Sequence, residues 1–242
     1  MIFDLDGTLV QTEKLKALSY GRAAHELRPD VTEDDVIEGF AVVVGQSRRE
    51  VARYLVDKFA LGPAAAGRME EHGVDTPWQA FVQIRLTFYH DILRDEQTLL
   101  NHRWPHTMAL LERARSSCRK VGLATMSYCP QVQHVLRVLG LENAFDFVAS
   151  RDDVEHGKPD PEIYHLVSAE LDVPPEECLV IEDSPAGVRA ALSAGMACVA
   201  VATPFTRARL REGNLLEDRW MVDDPDQLFG VVDRMLAEHR EN

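Results

Sequence analysis

The chain has 242 residues, enough for one large domain or for a core with a smaller second one. Lys and Arg number 26 against 40 Asp and Glu, a net charge of -14, so the surface repels nucleic acid and anionic membranes and neither is expected as a partner. Hydrophobic residues make up 45%, no apolar run approaches the ~20 residues of a membrane helix, and Asp4 and Asp6 interrupt any signal-like start. Cys118, Cys129, Cys178 and Cys198 form no C-x-x-C pair, which suits a reducing cytosol and argues against a zinc site. The expectation is a cytoplasmic monomer.

Met1-Ile2-Phe3 reads as a short buried strand running into Asp4 and Asp6, which share a face if the strand continues. Gly7 suggests that the chain turns there. Two adjacent carboxylates repel, so a divalent cation or a shared proton must compensate. A calcium loop starting at Asp4 is excluded, because its glycine and glutamate positions hold Leu9 and Leu15. A turn with two solvated acids is the bland alternative.

From Thr12 to about Trp104 the pattern is mostly helical. Leu15, Ala17 and Leu18 lie near one face of the first helix. Thr32 is placed to cap a second, and Ser47 with Glu50 opens a third in capping-box form. Leu61-Gly62-Pro63 ends it. Phe81, Ile84, Phe88 and Ile92 recur at helical spacing and read as core. His102 and His106 are separated by Pro105 and read as surface residues rather than metal ligands.

From about Pro105 helices alternate with short apolar runs at 121–125, 147–149, 178–181 and 196–201. Such runs between helices predict a parallel sheet covered on both faces, with Met1-Ile2-Phe3 as its first strand. The fold class is α/β, a Rossmann-like core of residues 1–11 and 105–242 carrying an inserted helical domain at 12–104. The charged stretch from Arg211 is expected to lead into a last helix that ends near Glu238.

In open parallel sheets, sites form at the carboxyl ends of the strands. Those ends collect Asp4 and Asp6, then Thr125, Met126 and Ser127, then Lys158, then Glu182 and Asp183. One lysine, a hydroxyl and four carboxylates at one edge suit a phosphoryl group and a hard divalent ion such as Mg2+.

Phe3-Asp4-Leu5-Asp6-Gly7-Thr8-Leu9-Val10 resembles the first motif of the haloacid dehalogenase-like hydrolases. Leu123-Ala124-Thr125-Met126-Ser127, Gly157-Lys158-Pro159-Asp160-Pro161-Glu162-Ile163-Tyr164 and Val180-Ile181-Glu182-Asp183-Ser184-Pro185-Ala186-Gly187-Val188 resemble the remaining three, in order. The resemblance implies Asp4 as nucleophile, Asp6 as general acid and base, and Thr125 and Lys158 as catalytic groups. Ser127 is assigned to substrate binding. A magnesium ion would be held by Asp4, the main-chain carbonyl of Asp6 and Asp183, with Glu182 orienting that shell or binding through water. The helical insertion resembles the cap of the β-phosphoglucomutase-like subgroup. There Gly45-Gln46-Ser47-Arg48-Arg49-Glu50 is similar to a loop that carries a substrate-binding arginine, aligned with Arg48, and Lys16 falls where mutases carry a histidine. Ordinary solvated helix charge is the alternative for both.

Three departures stand out. The first strand has few residues before Asp4, Gln11 replaces a common aspartate at the cap hinge, and Thr8 stands where mutases often have valine. The leading reading is a magnesium-dependent phosphatase of a small phosphorylated metabolite, acting through an aspartyl-phosphate. A hexose-phosphate mutase is the rival, separated by release of phosphate as against an isomerised product. A dehalogenase would lack the second aspartate, and a phosphonate hydrolase would need another first motif. A non-catalytic binding module would have lost at least one of Asp4, Asp6, Lys158 or Asp183, and all are present.

Overall fold

The computed structural model describes residues 1–44 and 46–241, with side chains up to Glu238; Gly45, the start of the loop singled out above, lies outside the described residues. The chain divides into two compact units, Met1–Gln11 with Leu99–Asn242, and Thr12–Thr98. The sequence reading put the second crossing near 104/105. It falls earlier because the segment after Leu99 is tied to the first strand's exit: Gln11 N donates to His102 O (2.8 Å), Trp104 N donates to Leu9 O (2.9 Å), and Val10 bridges Arg103.

The first unit is built on a six-stranded sheet: β1 (Ile2–Phe3), β2 (Gly122–Ala124), β3 (Phe147–Ala149), β4 (Leu179–Glu182), β5 (Ala197–Val201) and β6 (Met221–Val222). Their order is β3-β2-β1-β4-β5-β6, and every pairing is parallel. β1 is central, with Ile2 opposite both Gly122 and Val180. All residues of β1, β2 and β4 are buried, which is why these runs lack the apolar–polar alternation of a one-sided sheet. β6 was not expected, since its apolar pair Met221-Val222 lies within the stretch from Arg211 that reads as charged.

The second unit consists of α1 (Thr12–Leu27), α2 (Glu33–Val43), α3 (Arg48–Lys58), α4 (Gly62–Ala66), α5 (Met69–His72) and α6 (Pro77–Arg94), and α7 (Glu96–Asn101) spans the boundary. Thr32 caps α2 by accepting from Asp35 N, and the Ser47–Glu50 capping box is present on α3. Gly62-Pro63 does not close α3, which ends at Lys58; it starts α4, where a proline in the first turn forfeits no hydrogen bond. Tyr20 packs between Phe40 and Phe81, with ring centroids 5.6 Å from each. Phe81, Ile84 and Ile92 are buried as expected, but Phe88 is only half-buried, and Tyr89 and Arg85 take the inner positions instead. The Arg85 guanidinium lies over the Tyr20 and Tyr89 rings at 4.9 and 4.3 Å.

The first unit is completed by α8 (Pro105–Ser117), α9 (Cys129–Leu139), α10 (Glu162–Glu170), α11 (Pro185–Ser193), α12 (Arg207–Gly213) and α13 (Leu228–Glu241). Helices α10 and α11 bury Ile163, Tyr164, Val167, Val188 and Ala190 in one cluster with Ile2 and Val180 of the sheet. Helix α13 packs on β5 and against α8. Fixed strands with helices seated on them hold the residues beyond the strand ends in register.

Candidate active site

The site begins where β1 stops. Asp4 N donates to Ile181 O (3.0 Å), which carries the ladder one residue past Phe3. The chain then reverses: Gly7 N bonds Val10 O (2.7 Å), and Leu9 N and Val10 N both bond Leu5 O. Gly7 makes this possible in two ways. Its φ of +85° suits glycine, and a Cβ there would collide with the Asp183 carboxylate. Because the strand ends before Asp4, the shared-face argument for Asp4 and Asp6 does not apply, and each carboxylate meets different partners. Thr107, which the sequence reading did not single out, pins the reversal by donating from Oγ1 to Thr8 O (2.5 Å).

Lys158 is the centre of the arrangement. Its ammonium donates to Asp4 Oδ1 (2.7 Å), Glu182 Oε1 (2.7 Å) and Ala124 O (2.9 Å), using all three protons. All three side chains are buried. Burial works against the ammonium, but Asp4 and Glu182 together outweigh it and hold Lys158 protonated well beyond the usual lysine range. For Asp4, burial is the strongest influence and pushes the carboxyl up; Lys158 opposes it, while Glu182 and Asp6 add to it.

Asp6 Oδ2 accepts from Thr125 Oγ1 (3.0 Å) and Ser127 Oγ (2.7 Å). Thr125 Oγ1 also accepts from Ser127 N (3.1 Å), so the bend after β2 aims both hydroxyls at one acceptor. Met126, between them, points elsewhere, with its sulfur accepting from Lys158 N (3.1 Å).

Glu182 is held from every side. Its Oε2 accepts from Asp183 N (3.0 Å), Ser184 N (3.1 Å) and Ser184 Oγ (3.2 Å). Its Oε1 accepts from Tyr164 Oη (2.8 Å) as well as from Lys158. Ser184 is also the N-cap of α11, accepting from Gly187 N (3.0 Å). Neither Tyr164 nor Ser184 was given a role from sequence. Both lay within the quoted motifs, but an aromatic at helical spacing reads as core, and nothing in the linear order places its hydroxyl beside Glu182.

Oxygens of Asp4, Glu182 and Asp183 lie within 4.8 Å of one another. The Lys158 ammonium meets two of these carboxylates, Asp4 and Glu182, so the buried cluster of Asp4, Glu182 and Asp183 carries an excess of negative charge. An all-oxygen set of this kind fits a hard divalent cation, and the close approach of Gly7 leaves the Asp183 carboxylate its room. Lys16 and Arg48 belong to the other unit. Lys16 is half-buried on α1 and pairs with Glu13 (3.5 Å), and Arg48 is the exposed first residue of α3.

A parallel sheet whose central strands end in this network defines a Rossmann-like α/β core with its candidate site at the carboxyl ends of the strands. The model of the family described as "haloacid dehalogenase-like hydrolase" matches residues 1–195, and the chain belongs to that family. It is an enzyme of the family's phosphatase type. The chain is 32% identical over 196 residues to a phosphorylated carbohydrates phosphatase of Thermotoga maritima, covering 81% of each. It is 29% identical to a validoxylamine A 7'-phosphate phosphatase of Streptomyces hygroscopicus subsp. limoneus, over 90% of this chain and 95% of that one. Among solved structures it resembles a β-phosphoglucomutase of Clostridium difficile, with TM-score 0.67 and 25% identity, over 100% of this chain and 98% of the other. No helix among the described residues is long and apolar enough to cross a membrane.

Proposed function

We propose that this enzyme is a magnesium-dependent phosphatase that hydrolyses a small phosphorylated metabolite through an aspartyl-phosphate on Asp4. The observation that carries the reading is the Lys158 ammonium shared between Asp4 and Glu182 at 2.7 Å each, beside Asp183, in a chain of this family. The names of relatives that act on phosphorylated carbohydrates and hexitols favour a sugar or polyol phosphate.

A carboxylate oxygen of Asp4 attacks phosphorus, and the bond from phosphorus to the substrate oxygen breaks. Asp6, in its acid form, gives its proton to the departing oxygen. As a carboxylate it then removes a proton from the water that attacks the phosphoryl group, releasing inorganic phosphate and freeing Asp4. Lys158 holds Asp4 in place and offsets its charge. Thr125 and Ser127 donate to the phosphoryl oxygens once their hydroxyls leave Asp6. The cation would be held by Asp4, the main-chain carbonyl of Asp6 and Asp183, with Glu182 orienting that shell or binding through water. When bound, it offsets the repulsion between the attacking carboxylate and the phosphate dianion. Lys16 and Arg48 of the helical unit are assigned to the rest of the substrate.

The test is a screen of phosphorylated metabolites with magnesium, read as phosphate release, with Asp4→Asn as control. Phosphate release that Asp4→Asn abolishes supports the reading. An isomerised sugar phosphate without free phosphate would point to a mutase, and wild-type rates in Asp4→Asn would exclude Asp4 as nucleophile.

A further inference from the structure

Tyr164 is a fully buried aromatic in a helix that otherwise supplies core contacts, yet its hydroxyl reaches a carboxylate of the site. Tyr164 Oη donates to Glu182 Oε1 at 2.8 Å, the same oxygen that takes Lys158 at 2.7 Å. Its ring also lies beneath the ammonium, with Lys158 Nζ 5.0 Å from the centroid. A phenylalanine would fill the same space and keep the ring contact. The hydroxyl is therefore the part that packing does not explain.

We propose that Tyr164 is a positioning residue for the reaction: through Glu182 it keeps the Lys158 ammonium centred between two carboxylates and so keeps Asp4 aimed. The proposal rests on the assignment of Asp4 and Lys158 given above.

The geometry gives the reason. Glu182 Oε2 is saturated by two backbone N–H groups and the Ser184 hydroxyl, whereas among the described residues Oε1 has only Lys158 and Tyr164 as donors. Without the tyrosine hydroxyl, Oε1 would be satisfied by the ammonium alone. A buried carboxylate with one donor removed draws the remaining charged donor closer. Lys158 would then shift toward Glu182 and away from Asp4. Glu182 would also lose one of the bonds that hold its plane beside Asp183. Groups behind the reacting residues act in this way, and removing one costs activity or metal affinity without touching substrate.

The test is Tyr164→Phe in the full chain, alone and combined with Glu182→Gln. Three quantities are read: magnesium affinity by calorimetry on the protein alone, steady-state kinetics with p-nitrophenyl phosphate, and the thermal midpoint. Tyr164→Phe should lower kcat by about tenfold and raise the magnesium dissociation constant at least about threefold, with KM unchanged within about twofold. In the Glu182→Gln background the same substitution should change none of them further, because Tyr164 acts only through Glu182. Unchanged kcat and magnesium affinity, with only the midpoint lowered, would make Tyr164 a packing residue. Effects that multiply independently in the double variant would equally overturn the proposal. Calorimetry needs no turnover, so a wild-type chain without phosphatase activity would refute the functional reading while Tyr164 was still tested.

Discussion

Gly187 and Glu182 occupy one another's space: a Cβ built on Gly187 would fall on the Glu182 carboxylate, far inside van der Waals contact with Oε1. The first turn of α11 can approach the end of β4 only because residue 187 has no side chain. Gly187→Ala must therefore push Glu182 off its five donors or lift the helix. Overpacking of this kind costs about 1–3 kcal/mol. We expect a lower denaturant midpoint with an unchanged slope, and loss of most phosphatase activity. An alanine variant with wild-type stability and rate would mean that the helix moves freely here.

Asp4 offers a pH test with a definite sign. Burial and the neighbouring carboxylates raise its folded-state pKa above that of the unfolded chain. A group raised in this way favours the folded state below its unfolded pKa, near ~3.9. That contribution is lost as pH rises through the folded value. Without metal, Asp4→Asn should therefore melt above wild type at neutral pH. The gap should close toward pH 4 and below. Melting curves in chelator across that range check it, and a gap that widens on acidification would contradict the assignment.

Divalent cations should reverse that ordering. If Asp4 and Asp183 share a cation, magnesium should raise the wild-type midpoint more than that of Asp4→Asn. Chelation should stop turnover and magnesium restore it. Calcium should restore it poorly, because its larger and looser shell displaces the attacking carboxylate. Full activity in chelator would remove the metal from the mechanism.

Arg48 tests recognition by the helical unit. It stands exposed at the start of α3, behind the Ser47–Glu50 cap. An arginine fork can hold a second phosphate or a carboxylate bidentately. We expect Arg48→Ala to raise KM for the true substrate at least about tenfold, roughly 1.4 kcal/mol of binding. A small aryl phosphate should be affected much less. Equal effects on both substrates would indicate a general structural role, and no effect on either would leave Arg48 as solvated surface.

Much of the architecture was legible because it is written in local pattern. The continuous apolar runs at β1, β2, β4 and β5 can be satisfied only by strands covered on both faces, and the helices between them dictate parallel pairing. The rule that sites form at the carboxyl ends of parallel strands places Asp4, Asp6, Thr125, Lys158, Glu182 and Asp183 at one edge from sequence alone. Capping at Thr32 and Ser47 is local chemistry and was equally readable. The tertiary structure decided what depends on distances between remote segments. It ends β1 before Asp4, so that Asp4 goes to Lys158 and Asp6 to Thr125 and Ser127. It brings the Tyr164 hydroxyl 18 positions along the chain to Glu182, and it joins His102 and Trp104 to the exit of β1. Sequence periodicity records which face of an element is apolar. A single hydroxyl reaching a carboxylate leaves no trace in that pattern, because its partner is chosen by how α10 seats on the sheet beside the end of β4.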